Sequence, residues 1–184
     1  GKGPHNNSKG CGGVMRIAPI PLYGLAQGRI SNIDALDRLA ADTAELTHQH
    51  PLGFIPAALI SHLIYRLATD ENPEKETFKE YIKEGLKSIQ RMFTNYAEEV
   101  EKLVYLVKKA ILLSDISTDD VRTIEDELGG GWVAEETVAI AIYCALTHFE
   151  NFERTMIAAV NHAGDSDSTG AVAGNLLGAA TGYD

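Results

Sequence analysis

Two stretches of the chain are apolar around almost the whole circumference of a helix, and they constrain the fold more than any other feature. They are 54–68, FIPAALISHLIYRLA, and 134–148, AEETVAIAIYCALTH. A helix that is apolar on all sides has to pack against several neighbours. We therefore predict a central layer of buried helices rather than a simple four-helix bundle. We expect His62 and Tyr65 at the edge of that core.

Helical periodicity extends along most of the chain, and strand patterns are scarce. No segment alternates apolar and polar residues between turns, with β-branched enrichment, as a half-buried strand does. A length of 184 residues is typical of a single domain. We predict an all-α fold, a compact multi-helix orthogonal bundle, in which 1–184 form one domain. The predicted helices span 14–27, 33–47, 54–68, 75–94, 96–114, 118–127, 134–148, 152–161 and 169–182.

Charge and composition exclude some functional classes. The formal net charge of -10 argues against a direct nucleic-acid interface, which needs a basic surface. No run of about 18 apolar residues is present, so no membrane span is expected. Cys11 and Cys144 are far apart and give neither a disulfide framework nor a zinc spacing. Together with the lack of a signal peptide, this predicts free thiols and a cytoplasmic location.

An acidic, hydroxyl-rich segment, GDSDSTG at 164–170, directly precedes the last predicted helix. The carboxylates of Asp165 and Asp167 repel each other unless a cation or a proton lies between them. Mg2+ prefers oxygen ligands, so these side chains and the hydroxyl of Ser168 are the right ligand types. One acid alone would be explained as a helix cap that satisfies free backbone N–H groups. From residue chemistry, a metal site and a helix cap stay open as equal alternatives.

Glycines recur at every fourth position of the helix that follows. They are Gly170, Gly174, Gly178 and Gly182. Residues with this spacing lie close to one face of a helix. Because each interior glycine costs about 1 kcal/mol relative to alanine, the pattern indicates that another backbone approaches this face. Tight helix packing without functional meaning is compatible with the same pattern.

Two further segments suit a ligand, although each is a weak signal by itself. SKGCGGVMR at 8–16 is a glycine-rich loop that leads into a helix, where free backbone N–H groups suit a phosphate. It is neither a Walker loop nor a dinucleotide fingerprint. THQHP at 47–51 places histidines at the end of a helix, where histidine is also a favourable partner of the helix dipole.

Four segments, in this order, resemble the ADP-ribosylglycohydrolase family. They are SKGCGGVMRIAPIPL, ELTHQHP, GGGWVAEETVAIAIYCAL and NHAGDSDSTGAVAGNLLGA. The resemblance covers nearly the whole chain, is most specific at GDSDSTG, and is greatest to members that act on ADP-ribosyl-arginine, including dinitrogenase-reductase-activating enzymes. It implies the all-α fold of that family and a site for two Mg2+ ions, with Mn2+ as an alternative. It also implies hydrolysis of the bond between ADP-ribose and a protein side chain.

The resemblance implies roles for individual residues. The implied metal ligands are Asp165, Asp167 and Ser168. The implied substrate-binding residues, which would surround the diphosphate, the ribose and the adenosine, are Ser8, Lys9, Gly10, Cys11, His48 and Trp132. A core aromatic remains the alternative for Trp132.

Three charged residues near these segments have structural interpretations. Glu135 and Glu136 lie in the first turn of a predicted helix, where an acid complements the helix dipole, and we favour this interpretation for Glu136. Arg16 could contact a phosphate, but we expect it to pair with a carboxylate of the scaffold.

The chain departs from the family pattern at its beginning. The family normally opens with a Gly-Asp-Ala-like turn, a Thr-Asp-Asp-Thr metal motif and an acidic residue close to the scissile bond, and none of these is present. The segment 117–121, STDDV, imitates the metal motif but is interpreted as a helix cap. Two Mg2+ ions need about twelve coordination positions, more than two carboxylates and one hydroxyl supply. We therefore expect a C-terminal portion of an enzyme, incomplete as a domain, whose main catalytic acid lies in the missing segment.

The leading functional hypothesis is a Mg-dependent hydrolase that removes ADP-ribose from modified protein side chains, with arginine as the favoured acceptor. The expected partners are ADP-ribose or an ADP-ribosylated protein, and its own N-terminal segment as a separate chain. The fragment is expected to be inactive alone. The alternative hypothesis is a non-catalytic ADP-ribose-binding protein or a structural, crystallin-like protein.

Overall fold

The computed structural model describes residues 5–28, 30, 32–117 and 119–182. Within those ranges helices dominate and no strand is present; the backbone of Gly10 forms an isolated antiparallel bridge with that of Val133. The prediction of an all-α fold is therefore confirmed. The helices, in chain order, are α1 Gly12–Met15, α2 Pro19–Ala26, α3 Ile33–Glu45, α4 Pro51–Thr69, α5 Lys75–Met92, α6 Ala97–Ile116, α7 Asp120–Thr123, α8 Ala134–Thr147, α9 Phe152–Val160 and α10 Ser166–Thr181.

The two apolar stretches form the central helices, as predicted. Helix α4 packs on α3, α5 and α10, whereas α8 packs on α6, α9 and α10. Burial of nearly every side chain of α8 follows from its composition, because no face of this helix is polar enough to lie against water. Tyr65 lies at the edge of the core, but the prediction for His62 is wrong. His62 is only 1% exposed and lies inside the core between α3 and α5.

Helix α4 is the one helix of the described residues that is long and apolar enough to cross a bilayer. It has 19 residues, and 78% of its most apolar 18-residue stretch is buried inside the protein. A buried core helix has the same length and composition, so α4 is accounted for by its packing. The helix begins at Pro51, where proline is favoured because it has no N–H group to satisfy. The imidazole of His50 caps it by accepting a hydrogen bond from Leu52 N at 3.0 Å.

Several helix limits differ from those predicted. The predicted helix 14–27 is two helices, because Pro19 begins α2 and interrupts the continuous pattern. The predicted helix 118–127 is α7 followed by a π-helical turn, Ile124–Leu128, and a 3-10 turn, Thr94–Tyr96, precedes α6. Most important for the site, α10 begins at Ser166 rather than at 169.

From the sequence alone, Ser31-Asn32 and Ser117-Thr118 are predicted helix caps, because their side-chain oxygens can accept hydrogen bonds from free backbone N–H groups. Asn32 caps α3 by accepting a hydrogen bond from Asp34 N, as expected, whereas Ser31 lies outside the described residues. At the second position the cap is Asp119, which accepts from Arg122 N at 3.1 Å. The neighbouring Thr118 also lies outside the described residues. The STDDV segment is thus a helix cap, as interpreted.

The glycine stripe of α10 faces side chains and open space rather than a second backbone. A methyl group added at Gly170 would lie 2.7 Å from a methyl of Val160, and one at Gly174 would lie 3.4 Å from the sulfur of Met156. Both neighbours belong to α9. At Gly178 and Gly182 an added methyl would meet no atom of the described residues within 4 Å. The expected close backbone approach is therefore wrong for this stripe.

Candidate active site

The start of α10 contacts the glycine-rich loop through a cysteine. Asp165 is the residue before α10, and its Oδ2 accepts hydrogen bonds from Cys11 Sγ at 3.0 Å and from Ser168 Oγ at 2.9 Å. Cys11 Sγ and Ser168 Oγ are 3.1 Å apart. Residues separated by more than 150 positions in the sequence thus form one polar cluster. Ser168 is almost fully buried in it, although Asp167 is exposed.

The pKa values of the two carboxylates of this cluster are shifted in opposite directions. Burial opposes ionisation of Asp165, but hydrogen bonds from Asp167, Cys11 and Ser168 prevail and lower its pKa. The pKa of Asp167 is raised by its hydrogen bond to Asp165 and by the charge of that residue. The pKa of the Cys11 thiol is raised by burial and by its hydrogen bond to Asp165. Two carboxylates held this close favour a proton or a cation between them.

The oxygen donors of this cluster can supply some of the ligands of a hard cation such as Mg2+, but not all of them. The oxygens of Asp165, Asp167 and Ser168 are the ligand type that Mg2+ takes. No group of three or more His, Cys, Asp and Glu side chains in the described ranges is arranged to hold a metal ion. A thiol beside Asp165 is also a softer donor than Mg2+ prefers. The metal-ligand assignments therefore stay predictions, supported by donor chemistry and not by a full coordination geometry.

The glycine-rich loop is fixed to the start of α8. Lys9 O accepts a hydrogen bond from Ala134 N at 2.9 Å, and Lys9 Nζ forms an ion pair with Glu135 at 2.9 Å. Gly10 pairs with Val133 in the isolated bridge. The ammonium of Lys9 is thus partly neutralised by a buried carboxylate, although its side chain remains 44% exposed. Glu135 therefore holds the loop in addition to complementing the helix dipole.

The imidazole of His48 lies against the same loop. Added methyl groups at Gly12 and Gly13 would lie 3.2 and 3.4 Å from its ring. Burial, together with the charge of Arg16, lowers the pKa of His48, which favours the neutral ring. Ser8 is held nearby, since its carbonyl accepts a hydrogen bond from His50 N at 3.3 Å.

Trp132 lies beside the acidic cluster and is 65% exposed, so the alternative of a core aromatic is wrong. A methyl group added at Gly130 would lie 2.8 Å from its indole ring. The carbonyl of Gly130 accepts a hydrogen bond from Asp165 N at 2.7 Å. An exposed indole next to the candidate metal ligands is therefore available for stacking on a flat ligand group.

The structure assigns Arg16 and Glu136 contacts that the sequence did not indicate. Arg16 donates hydrogen bonds to Thr43 O and Thr47 Oγ1, and in the described ranges it has no carboxylate partner. One oxygen of Glu136 accepts hydrogen bonds from Gly130 N and Gly131 N, both at 3.1 Å. Glu136 therefore does more than complement the helix dipole. The sequence signal that could have revealed this role is the run of three glycines at 129–131.

A large apolar groove lies away from this cluster, between α2 and α3. Its volume is about 550 Å3, and its lining includes Pro19, Tyr23, Leu36 and Leu39. Among the residues that the structure describes, no carboxylate, histidine or cysteine lines it. The chemistry needed for catalysis or metal binding is therefore concentrated at the start of α10 and not in this groove.

Sequence comparison supports the resemblance noted from the motifs. The family profile described as ADP-ribosylglycohydrolase matches residues 1–184. The chain is 28% identical to the ADP-ribosylhydrolase ARH3 of Gallus gallus, over 97% of this chain and 50% of that protein. It is 28% identical to ARH3 of Homo sapiens, over 100% of this chain and 52% of that protein. It is 25% identical to the ADP-ribosylhydrolase ARH1 of Dictyostelium discoideum, over 95% and 54%.

The chain belongs to the ADP-ribosylglycohydrolase family, since the match extends over its whole length. It spans about half the length of the curated relatives that it matches. Contacts connect several of the predicted site residues: His48 lies against the glycine-rich loop, Cys11 contacts Asp165 and Ser168, and Asp165 N donates to the carbonyl of Gly130, on which Trp132 packs. Their roles in binding stay predictions.

Proposed function

We propose that this chain carries the ADP-ribose-binding half of a Mg-dependent hydrolase, which removes ADP-ribose from modified protein side chains. The observation that carries the proposal is the contact of Cys11 with Asp165 and Ser168. It brings a glycine-rich loop, which suits a diphosphate, against an acidic cluster, which suits a cation. A sugar diphosphate with its metal needs both surfaces side by side.

Each part of the region has a distinct proposed task. Backbone N–H groups of 11–13 would hold the diphosphate, and the neutral imidazole of His48 would contact the ligand over this loop. The exposed indole of Trp132 would stack on the adenine. Oxygens of Asp165, Asp167 and Ser168 would hold Mg2+, which, when bound, supplies Lewis-acid polarisation of the sugar oxygens. Positioning of the ribose is thus the contribution of this chain.

The donor set supports a further part of the proposal, that this chain is inactive alone. Two carboxylates and one hydroxyl fill only part of the coordination positions of even one Mg2+ ion, and the family resemblance implies that the acid that activates water lies outside this sequence. We propose that this acid and the other ligands lie in the half of the protein that the relatives have and this sequence does not span.

A non-catalytic role in ADP-ribose binding is the second candidate. It is favoured by the same incomplete donor set, because the described residues offer a surface for the ligand without a complete metal centre. Turnover distinguishes the two functions. Peptides carrying ADP-ribosyl-arginine or ADP-ribosyl-serine would be incubated with the chain, alone and with the unmatched portion of the human relative. We expect free ADP-ribose only from the pair, with arginine as the favoured acceptor.

Thermal unfolding of Asp167→Asn tests the binding proposal. The side chain of Asp167 is exposed, so replacement of its carboxylate by an amide leaves the fold intact. In Mg2+, a hundredfold excess of ADP-ribose over its Kd stabilises a protein by about 2.7 kcal/mol, which raises Tm by roughly 5–10 °C at this size. We expect this rise in Tm for the unsubstituted chain in Mg2+. We expect no rise when EDTA replaces Mg2+, and none for Asp167→Asn.

A matched control uses an exposed acid in the first turn of another helix. Glu153 occupies that position in α9 and lies outside the candidate site. Glu153→Gln should keep the full Mg-dependent shift. Equal shifts in Mg2+ and in EDTA, or loss of the shift in both variants, would remove the support for a cation at Asp167.

A further inference from the structure

Glu136 lies in the first turn of α8, directly below the loop formed by Gly129, Gly130 and Gly131. Its Oε2 accepts the N–H groups of both Gly130 and Gly131 at 3.1 Å. The half-buried carboxylate also packs against Gly129, since a methyl group added there would lie 2.7 Å from its carboxyl carbon. One side-chain oxygen that accepts two successive backbone N–H groups fixes both glycines relative to α8.

The triple-glycine loop depends on such an anchor. Gly129 has φ of 100° and Gly131 has φ of 73°, in the region that side-chain-bearing residues rarely adopt. Three consecutive glycines also give the unfolded loop a large conformational entropy, which opposes a fixed geometry. Besides Glu136, the loop is held by Thr137 Oγ1, which donates to Gly131 O at 2.7 Å.

One peptide unit of this loop connects Glu136 to the candidate site. The unit consists of the carbonyl of Gly130 and the N–H of Gly131. Its N–H donates to Glu136, and its carbonyl accepts the hydrogen bond from Asp165 N at 2.7 Å. Hydrogen bonds in such a chain polarise one another, so the carboxylate strengthens the bond that holds Asp165. The indole of Trp132 packs on the same Gly130.

We propose that Glu136 is a positioning residue for the ADP-ribose site. Through the Gly130–Gly131 peptide it fixes the backbone of Asp165, a candidate metal ligand, and the indole of Trp132, a candidate stacking surface. This inference rests on the proposed function for its effect on ligand affinity. Its effect on the position of Trp132 is independent of any ligand.

Three substitutions of Glu136 separate positioning from simple packing. Glu136→Gln keeps the size and one carbonyl oxygen, which can accept both N–H groups. Glu136→Leu has a similar volume but no acceptor. Glu136→Asp keeps the charge but has a shorter side chain. If circular dichroism shows that Glu136→Leu does not fold, Glu136→Asp is measured in its place.

Fluorescence of Trp132 provides the first measurement, because it is the only tryptophan of the chain. We expect Glu136→Leu or Glu136→Asp to lower the steady-state anisotropy of the indole and to shift its emission, while Glu136→Gln matches the unsubstituted chain. Unchanged anisotropy in a folded leucine or aspartate variant overturns the proposal, even if the variant is less stable.

Titration with ADP-ribose in Mg2+ provides the second measurement. Removal of groups that orient metal ligands typically weakens binding about 10–100-fold. We expect the Kd for ADP-ribose to rise by this factor in the leucine or aspartate variant. The glutamine variant should keep the Kd of the unsubstituted chain. An unchanged Kd overturns the positioning role. If the unsubstituted chain binds no ADP-ribose, the proposed function fails, and the anisotropy of Trp132 alone decides whether Glu136 positions the loop.

Discussion

At the level of the single residue, Gly164 and Gly178 differ in the space around their α-carbons. A methyl group added at Gly164 would lie 2.0 Å from the carbonyl oxygen of Gly130, which is backbone and has no other rotamer to adopt. The same addition at Gly178 would meet no atom of the described residues within 4 Å. Gly164 is therefore required by the contact that holds Asp165, whereas Gly178 only lowers the helix propensity of α10.

Substitution of these two glycines by alanine should have opposite effects on stability. Gly164→Ala is expected to lower the free energy of unfolding by about 1–3 kcal/mol, because the loop carrying Gly130 must move. Gly178→Ala should raise it by about 0.4–1 kcal/mol through the lower entropy of the unfolded chain. Urea unfolding at pH 7 measures both. Destabilisation by Gly178→Ala would show that another surface covers that face of α10 in solution.

The chemistry of individual residues could be inferred from the sequence, but not their partners. The acids and hydroxyls of GDSDSTG indicated a polar cluster, and the cluster exists. The contact of Cys11 with Asp165, 154 positions apart, depends on the whole fold and leaves no local pattern. Arg16 was wrongly paired with a carboxylate for the same reason.

At the level of elements, α3, α4 and α5 are connected by a polar chain through the apolar core. His62 Nδ1 lies 2.8 Å from Asp37 Oδ2, and Ser88 Oγ donates to Asp37 at 3.2 Å or to Asp34 at 3.1 Å. Asp37 is 0% exposed. A buried carboxylate of this kind is costly unless its partners remain, so the three helices are fixed in register with one another.

The pH dependence of stability should change when Asp37 loses its charge. Burial raises the pKa of Asp37, and the hydrogen bond with His62 only partly opposes this effect. An acid with a raised folded-state pKa stabilises the fold below its unfolded pKa of about 4, and that contribution is lost as the pH rises through the folded value. Relative to Asp37→Asn, the unsubstituted chain should therefore lose stability between pH 4 and pH 7.

Urea unfolding of both proteins at several pH values between 4 and 7 tests this prediction. Groups that do not contact Asp37 contribute equally to both curves, so the difference between them reports Asp37 together with its hydrogen-bonded partner His62. Asparagine keeps a carbonyl oxygen that can accept from His62, which preserves the packing of the pair. Parallel curves, or a difference of the opposite sign, would show that the charge of Asp37 is fully compensated in the fold.

The positions of the helices could be predicted from the sequence, because apolar periodicity is a local signal. Some of the helix ends could not be predicted in this way. Periodic apolar residues identified α4 and α8 and predicted their burial correctly. The start of α10 was placed three residues late, because polar residues of GDSDSTG carry no apolar period. His62 was placed at the edge of the core because the buried carboxylate that accompanies it lies 25 positions away.

At the level of the whole molecule, the candidate site has no independent stability. Its parts come from the glycine-rich loop, the segment before α4, the triple-glycine loop and the start of α10, and each is held by contacts with another. Local binding geometry therefore depends on the packing of α4 and α8, the two central helices. Opening of the core should disrupt the site in the same step.

Alkylation of Cys144 measures whether the core around α8 opens in one step with global unfolding. Cys144 lies in α8 and is fully buried, and burial strongly raises the pKa of its thiol. Only the thiolate is nucleophilic, so alkylation of Cys144 requires the core to open. In a Cys11→Ser background, the rate of modification by iodoacetamide should increase with urea in parallel with the unfolded fraction measured by circular dichroism. Modification at low urea, far above that fraction, would mean that α8 opens locally while the remaining helices stay folded.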